Sequence, residues 1–146
     1  MRKILVIYYS RSGNTEKMAK AVAEGAKSNP NITVDLSYHI EAEDLANYDA
    51  IIVGSPTYHT QMPIDFKNLF EEASAKQINL KNKIGSAFGS YGWSGEAPQA
   101  VIEILKKLGL QVIEPPIRAK YNPDRKALDD CTDLGKKVAR QLSDKQ

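Results

Sequence analysis

Ser10-Arg11-Ser12-Gly13-Asn14-Thr15 stands between two segments of opposite character. Before it runs Ile4-Leu5-Val6-Ile7-Tyr8-Tyr9, apolar without interruption. After it Met18, Ala19, Val22, Ala23 and Ala26 recur at helical spacing. A strand over roughly 3–9 therefore ends, a polar loop turns, and a helix over about 14–27 begins. A run that is continuous, not alternating, implies a strand buried on both faces, as in a parallel sheet covered by helices. The hydroxyls of Ser10, Ser12 and Thr15, with Gly13 relaxing the backbone, suit an anion at the positive end of that helix. Taken alone the stretch has a second reading, a helix start capped by Ser12 or Asn14.

Moving outward, Asn29-Pro30-Asn31 ends the first helix, and Ile32-Thr33-Val34-Asp35-Leu36 alternates like a half-exposed strand near a sheet edge. Residues 41–47 read as a loop or a short helical turn. Ala50-Ile51-Ile52-Val53-Gly54 is a further buried strand. A polar and aromatic loop, 55–63, precedes a helix whose stripe is Phe66, Leu69, Phe70 and Ala73. Residues 84–90 form a fourth strand. The loop 91–95 follows, then a helix marked by Ala97, Val101, Ile104, Leu105 and Leu108 and stopped at Gly109. Leu110 to Ile113 is the fifth strand, closed or broken by Pro115-Pro116. A last helix begins near Pro123 and turns Leu128, Cys131, Leu134 and Val138 inward. Strands alternating with helices, joined by right-handed crossovers, predict one α/β domain with an open, doubly wound five-stranded parallel sheet.

The chain has 146 residues, enough for a single domain with one sizeable core, and its apolar share argues against disorder. The formal net charge is +2, with both signs interspersed, so charge gives no reason to expect nucleic acid. A single cysteine, Cys131, allows no disulfide within the chain and fits a reducing, cytoplasmic setting. No apolar stretch is long enough to cross a bilayer, and the short run after Met1 reads as a strand, not a targeting segment. Two histidines and one cysteine make a metal site improbable.

In such sheets ligands sit beyond the carboxyl ends of the strands. Three loops fall there. The first lacks Gly-x-x-x-x-Gly-Lys and Gly-x-Gly-x-x-Gly, contains no cysteine nucleophile, and follows a strand that ends without a phospho-accepting aspartate. The second, Gly54-Ser55-Pro56-Thr57-Tyr58-His59-Thr60-Gln61-Met62-Pro63, brings one aromatic to the site. The third, Gly89-Ser90-Tyr91-Gly92-Trp93-Ser94-Gly95-Glu96, brings two. Aromatics in glycine-rich loops beside a phosphate loop suggest a flat ring held between them, its phosphate tail in the first loop.

At these positions the chain resembles the flavodoxin family. The resemblance spans the whole length and rests on the run Ser10 to Ala19 and on Gly89-Ser90-Tyr91-Gly92-Trp93. Asp130-Cys131 and Gly135-Lys136-Lys137-Val138-Ala139 support it. It is similar both to short-chain flavodoxins and to the flavodoxin module of A-type flavoproteins. The resemblance implies strand order 2-1-3-4-5 with helices on both faces and FMN as a non-covalent cofactor. The implied phosphate ligands are the side chains of Ser10, Ser12, Asn14 and Thr15, with backbone N–H groups from Arg11 through Gly13 to Thr15. Trp93 is expected to cover one flavin face and Tyr58 the inner one, flanked by Thr57 and His59. Tyr91, Gly92 and Gly95 are expected at the pyrimidine end, with Ser55, Pro56 and Ser90 also among the cofactor contacts.

The resemblance further implies electron chemistry carried by the flavin and tuned by the protein. Stacked aromatics and a dry pocket disfavour the anionic, fully reduced ring and lower the potential of the second reduction. Flavodoxins help the one-electron form by a peptide flip in the second loop, commonly eased by glycine. His59 and Thr60 stand there, and positive φ at His59 would cost about 1 kcal/mol or more, so weaker support of that form is expected. The chain also departs from the usual acidic character of flavodoxins. Arg11 is either a solvated side chain or a positive spot for an acidic partner. Cys131 and His39 are assigned to core and to surface or packing, and Glu96 to the dipole of the helix it begins. The leading function is a low-potential electron carrier between redox proteins, monomeric or weakly dimeric, with no catalytic constellation and no nucleic-acid or membrane partner. The rival is an NAD(P)H-dependent quinone reductase, which the segment Gly54-Ser55-Pro56-Thr57-Tyr58 also resembles. A module that has lost its cofactor is the third reading.

Overall fold

A computed structural model describes residues 2–58 and 61–144. The reading at His59 and Thr60 lies outside the described residues. The chain runs β1 (Arg2–Tyr8), α1 (Asn14–Ala26), β2 (Ile32–Ser37), a 3₁₀ turn (Ala42–Asn47), β3 (Ala50–Gly54), α2 (Ile64–Ala75) and β4 (Ile84–Tyr91). It continues through α3 (Ala97–Lys107), β5 (Gln111–Val112), β6 (Ile117–Lys120) and α4 (Arg125–Asp144). The sheet is wholly parallel, in the order β2-β1-β3-β4-β5, with β6 also on β4.

The continuous apolar run in β1 is explained by its two partners. Ile4 and Val6 face a core shared with Met18 and Val22 of α1 and Val138 of α4. Leu5 and Ile7 face the opposite core, with Leu45, Phe66, Phe70 and Leu105. All four strand residues are at most 2% exposed, and burying each side chain stabilises the fold by about 1.5–3 kcal/mol. β2, at the sheet edge, is only partly covered, as expected, but its burial does not follow the alternation: Ile32 is buried while Leu36 is exposed.

The fifth strand differs from expectation. Its position is filled by two segments: β5 pairs with Ile84 and Gly85, and β6 with Phe88 to Tyr91. Pro115 and Pro116 separate them, because proline offers no N–H to the ladder. Ser86 Oγ bridges part of the gap by donating to the Ile113 carbonyl at 2.9 Å. The final helix starts two residues beyond Pro123, at Arg125. Asp124 sets that start: its carboxylate accepts from Ala127 N–H at 2.9 Å and its carbonyl from Leu128 N–H at 3.0 Å. Cys131 is fully buried on the inner face of α4, and His39 stands exposed beside Glu41 at 3.1 Å, both as expected. Among the described residues no helix is long and apolar enough to cross a membrane.

Candidate functional site

The loops after β1, β3 and β4 meet at the carboxyl end of the sheet, around a cavity of about 260 Å³. Ser10, Ser12, Asn14 and Thr15 line it from the first loop. Pro56, Thr57 and Tyr58 line it from the second, and Ser90, Tyr91 and Gly92 from the third. Tyr121, just past β6, completes the wall.

The first loop turns at Gly13, whose φ is +89°, a conformation that residues with a Cβ resist. Ser10 Oγ accepts from Gly13 N–H at 3.0 Å and folds the loop back on itself. Neither Ser12 nor Asn14 caps α1: Gly13 holds the cap position, Asn14 is the first helical residue, and no side chain bonds this end. A helix start without a side-chain cap leaves N–H donors and positive dipole for an anion. A Cβ built on Gly13 would meet nothing within 4 Å, so the space beside the loop is open.

Several residues expected at the ligand also bind the loops to one another. Thr15 is 1% exposed, and its Oγ1 lies 2.8 Å from Ser90 Oγ while accepting from Ser90 N–H at 3.2 Å. Thr57 Oγ1 accepts from Ala97 N–H at 2.9 Å, which fixes the second loop to the start of α3. Ser55, fully buried, donates its N–H to the Phe88 carbonyl at 2.8 Å. Gly89 is required at that crossing, since a Cβ there would lie 1.9 Å from the Ser55 carbonyl oxygen. Tyr58 and Gln61 exchange backbone hydrogen bonds of 2.8 and 2.9 Å, closing the second loop on itself.

Other expected residues stand outside the cavity. Trp93 projects into solvent, 88% exposed, one residue beyond Gly92. Gly95 is buried beneath Tyr91 and Arg118, whose Nη1 donates to the Gly95 carbonyl at 3.4 Å. Glu96 holds the cap position of α3 with its side chain exposed. Arg11 belongs to a second, larger cleft of about 500 Å³, lined also by Tyr9, Met62, Ile64 and Lys67, with Tyr58 shared by both. Its guanidinium carbon sits 4.4 Å from the Tyr58 ring centroid, within cation–π range. The neighbouring Tyr9 side chain raises the Arg11 pKa. Tyr9 meets the Tyr58 ring edge-on at 6.1 Å. Desolvation raises the Tyr58 pKa, opposed by Arg11. Arg11 stays exposed to solvent while its guanidinium rests on the outer side of the second-loop tyrosine.

Tyr121 is not legible as a site residue in the sequence. It follows a strand that the sequence pattern does not reveal, and its one signal is the Asn122-Pro123 turn beside it.

A parallel sheet with a phosphate-type loop, tyrosine walls and a cavity at its carboxyl edge defines an open α/β mononucleotide-binding protein. The sequence profile of the flavodoxin family matches residues 6–135, and the chain belongs to that family. FMN is the cofactor of the family. A solved flavodoxin from the domain Archaea is 37% identical and superposes with a TM-score of 0.87, covering 97% of this chain and 99% of that one. The type A flavoprotein fprA of Rhodobacter capsulatus is 31% identical over 97% of this chain and 34% of its own length. The anaerobic nitric oxide reductase flavorubredoxin of Escherichia coli is 33% identical over 95% of this chain and 30% of its own length. The chain thus spans about a third of these two curated relatives.

The residues present fit FMN. An uncapped helix start with Ser10, Ser12 and Asn14 around it suits a phosphate dianion, and Tyr58 and Tyr91 supply flat apolar surface for a ring.

Proposed function

We propose that this chain is a single FMN-binding unit that carries electrons between redox proteins in a reducing, cytoplasmic setting. When bound, FMN supplies one- and two-electron transfer. The protein's part is to hold, orient and shield it. Ser10, Ser12 and Asn14, with the free N–H groups at the start of α1, take the phosphate. Thr15 works through Ser90, setting the distance between the first and third loops. Tyr58 takes the inner face of the ring, braced from behind by Arg11 and Tyr9. Tyr91 and Gly92 take its polar edge, and Trp93 covers the outer face.

The observation that carries the carrier reading is the chemistry of the cavity wall. Among the described residues lining it there is no carboxylate, imidazole, ammonium or thiol; the proton-bearing groups there are hydroxyls, and desolvation makes the Tyr58 phenol harder to ionise, which suits holding a ring more than moving a proton. Complementary support comes from the archaeal flavodoxin, which matches over nearly its whole length. The test is anaerobic mixing of the FMN-loaded chain with NADH or NADPH alone, followed at the flavin absorption band. The carrier reading expects no bleaching over minutes, and full bleaching by dithionite. Rapid bleaching by either nicotinamide would make the protein a reductase instead.

A further inference from the structure

We infer that Tyr121 is a fourth-loop contact to the cofactor, its ring lying against the isoalloxazine–ribityl portion and not against the phosphate. The inference rests on FMN filling the cavity described above.

Tyr121 combines two features that the fold alone does not reward. The residue is 62% exposed and belongs to neither core. Its φ is +59°, a left-handed conformation that bulky residues avoid. Two other described non-glycine residues share that conformation, and each has a local reason. Gln77 terminates α2, where its N–H bonds back to the Ser74 carbonyl, and Asn82 is a residue type that tolerates left-handed turns. Tyr121 is an aromatic, sits at no helix end, and faces a ligand-sized cavity. Strained residues held by their surroundings cluster at binding sites.

Those surroundings are visible. Tyr121 N–H donates to the Tyr91 carbonyl at 2.6 Å, which ties the fourth loop to the third. Lys17 Nζ donates to Asn122 Oδ1 at 2.8 Å, which ties it to α1 behind the phosphate loop. Between these anchors the ring lies over Gly92: a Cβ built there would be 3.3 Å from Tyr121 Cε1. The ring therefore stands over the third loop, where the polar edge of the flavin is placed, and the anchor to α1 is made by its neighbour. Tyr58, Tyr91 and Tyr121 then bring three aromatic side chains to one cavity.

The experiment titrates the cofactor-free chain with FMN and with riboflavin, following quenching of flavin fluorescence, and records the thermal midpoint of the same cofactor-free proteins. Tyr121→Gly removes the ring and relieves the backbone. It should weaken FMN and riboflavin by the same factor, about tenfold, as expected for one edge-on aromatic contact. The thermal midpoint without cofactor should hold or rise. Tyr121→Phe, which keeps the ring, should bind both within about twofold of wild type. A glycine variant that binds as wild type does, a loss confined to FMN, or a lowered thermal midpoint would each overturn the inference while leaving the FMN reading intact. A wild-type chain that binds neither flavin would overturn both.

Discussion

Thr15→Val tests how the phosphate loop is joined to the rest of the site. Valine keeps the shape of threonine and removes its oxygen. That oxygen serves two bonds, to Ser90 Oγ at 2.8 Å and from Ser90 N–H at 3.2 Å, in a place where Thr15 is 1% and Ser90 7% exposed. Stranding the Ser90 N–H away from water costs about 1–3 kcal/mol. Burying a methyl in place of a hydroxyl returns about 0.8 kcal/mol. The net expectation is a destabilisation of about 1–2 kcal/mol, or roughly 3–8 °C in thermal midpoint for a domain of this size. Urea unfolding of the cofactor-free chain reads it without the added stability of a bound ligand. The partner variant Ser90→Ala and the double variant complete a cycle, in which the hydroxyl pair should couple by about 0.5–1.5 kcal/mol. A valine variant as stable as wild type, with no coupling in the cycle, would refute the claim that this pair joins the two loops.

Three other parts of the molecule carry further expectations. Gly135→Ala should destabilise by about 2 kcal/mol or more in urea, because its Cβ would lie 2.0 Å from the Val22 carbonyl oxygen where α4 crosses α1; an unchanged midpoint would contradict that crossing. Burial pushes the Cys131 thiol up to about 12, so the native protein should resist a thiol reagent at pH 8 and react fully once unfolded; stoichiometric labelling of the native protein within minutes would count against it. Tyr48 is pushed up to about 12, first by burial and then by Asp35, whose carboxylate accepts from its hydroxyl at 2.6 Å. Between pH 10 and 12 the unfolded chain releases this proton while the folded one keeps it, so stability is full below that window and falls through it. Tyr48→Phe should flatten this decline, and an identical alkaline profile would show that Tyr48 does not cause it.

How much of the molecule is legible in sequence depends on the range of the forces involved. β1 can be read because both of its faces are covered, which leaves four consecutive buried residues as a visible run. The divided fifth strand cannot be read, because Ile117-Arg118-Ala119-Lys120 is short, half polar and preceded by two prolines. Its strand character comes from pairing with Phe88 to Tyr91. The start of α4 is misleading in sequence because Pro123 resembles a helix-starting residue, whereas Asp124 makes the cap. At the site, glycines, hydroxyls and aromatics announce three loops. They do not announce which hydroxyls face a ligand and which bind Ser90 or Ala97, since those partners lie 75 and 40 residues away. Arg11 is open between solvent and partner in the sequence, and the ring of Tyr58 beneath it is a tertiary fact.

The loop from Ser10 to Thr15 is proposed to anchor the phosphate of FMN. The most direct measurement is a calorimetric titration of the cofactor-free chain with FMN and, separately, with riboflavin, which differs by that phosphate alone. The expected result is one site for each, with FMN bound at least a hundredfold more tightly, the scale of two or three charge-assisted hydrogen bonds at about 1.5 kcal/mol or more each after the costs of ordering. Equal affinity for the two flavins, or no binding of FMN, would contradict it.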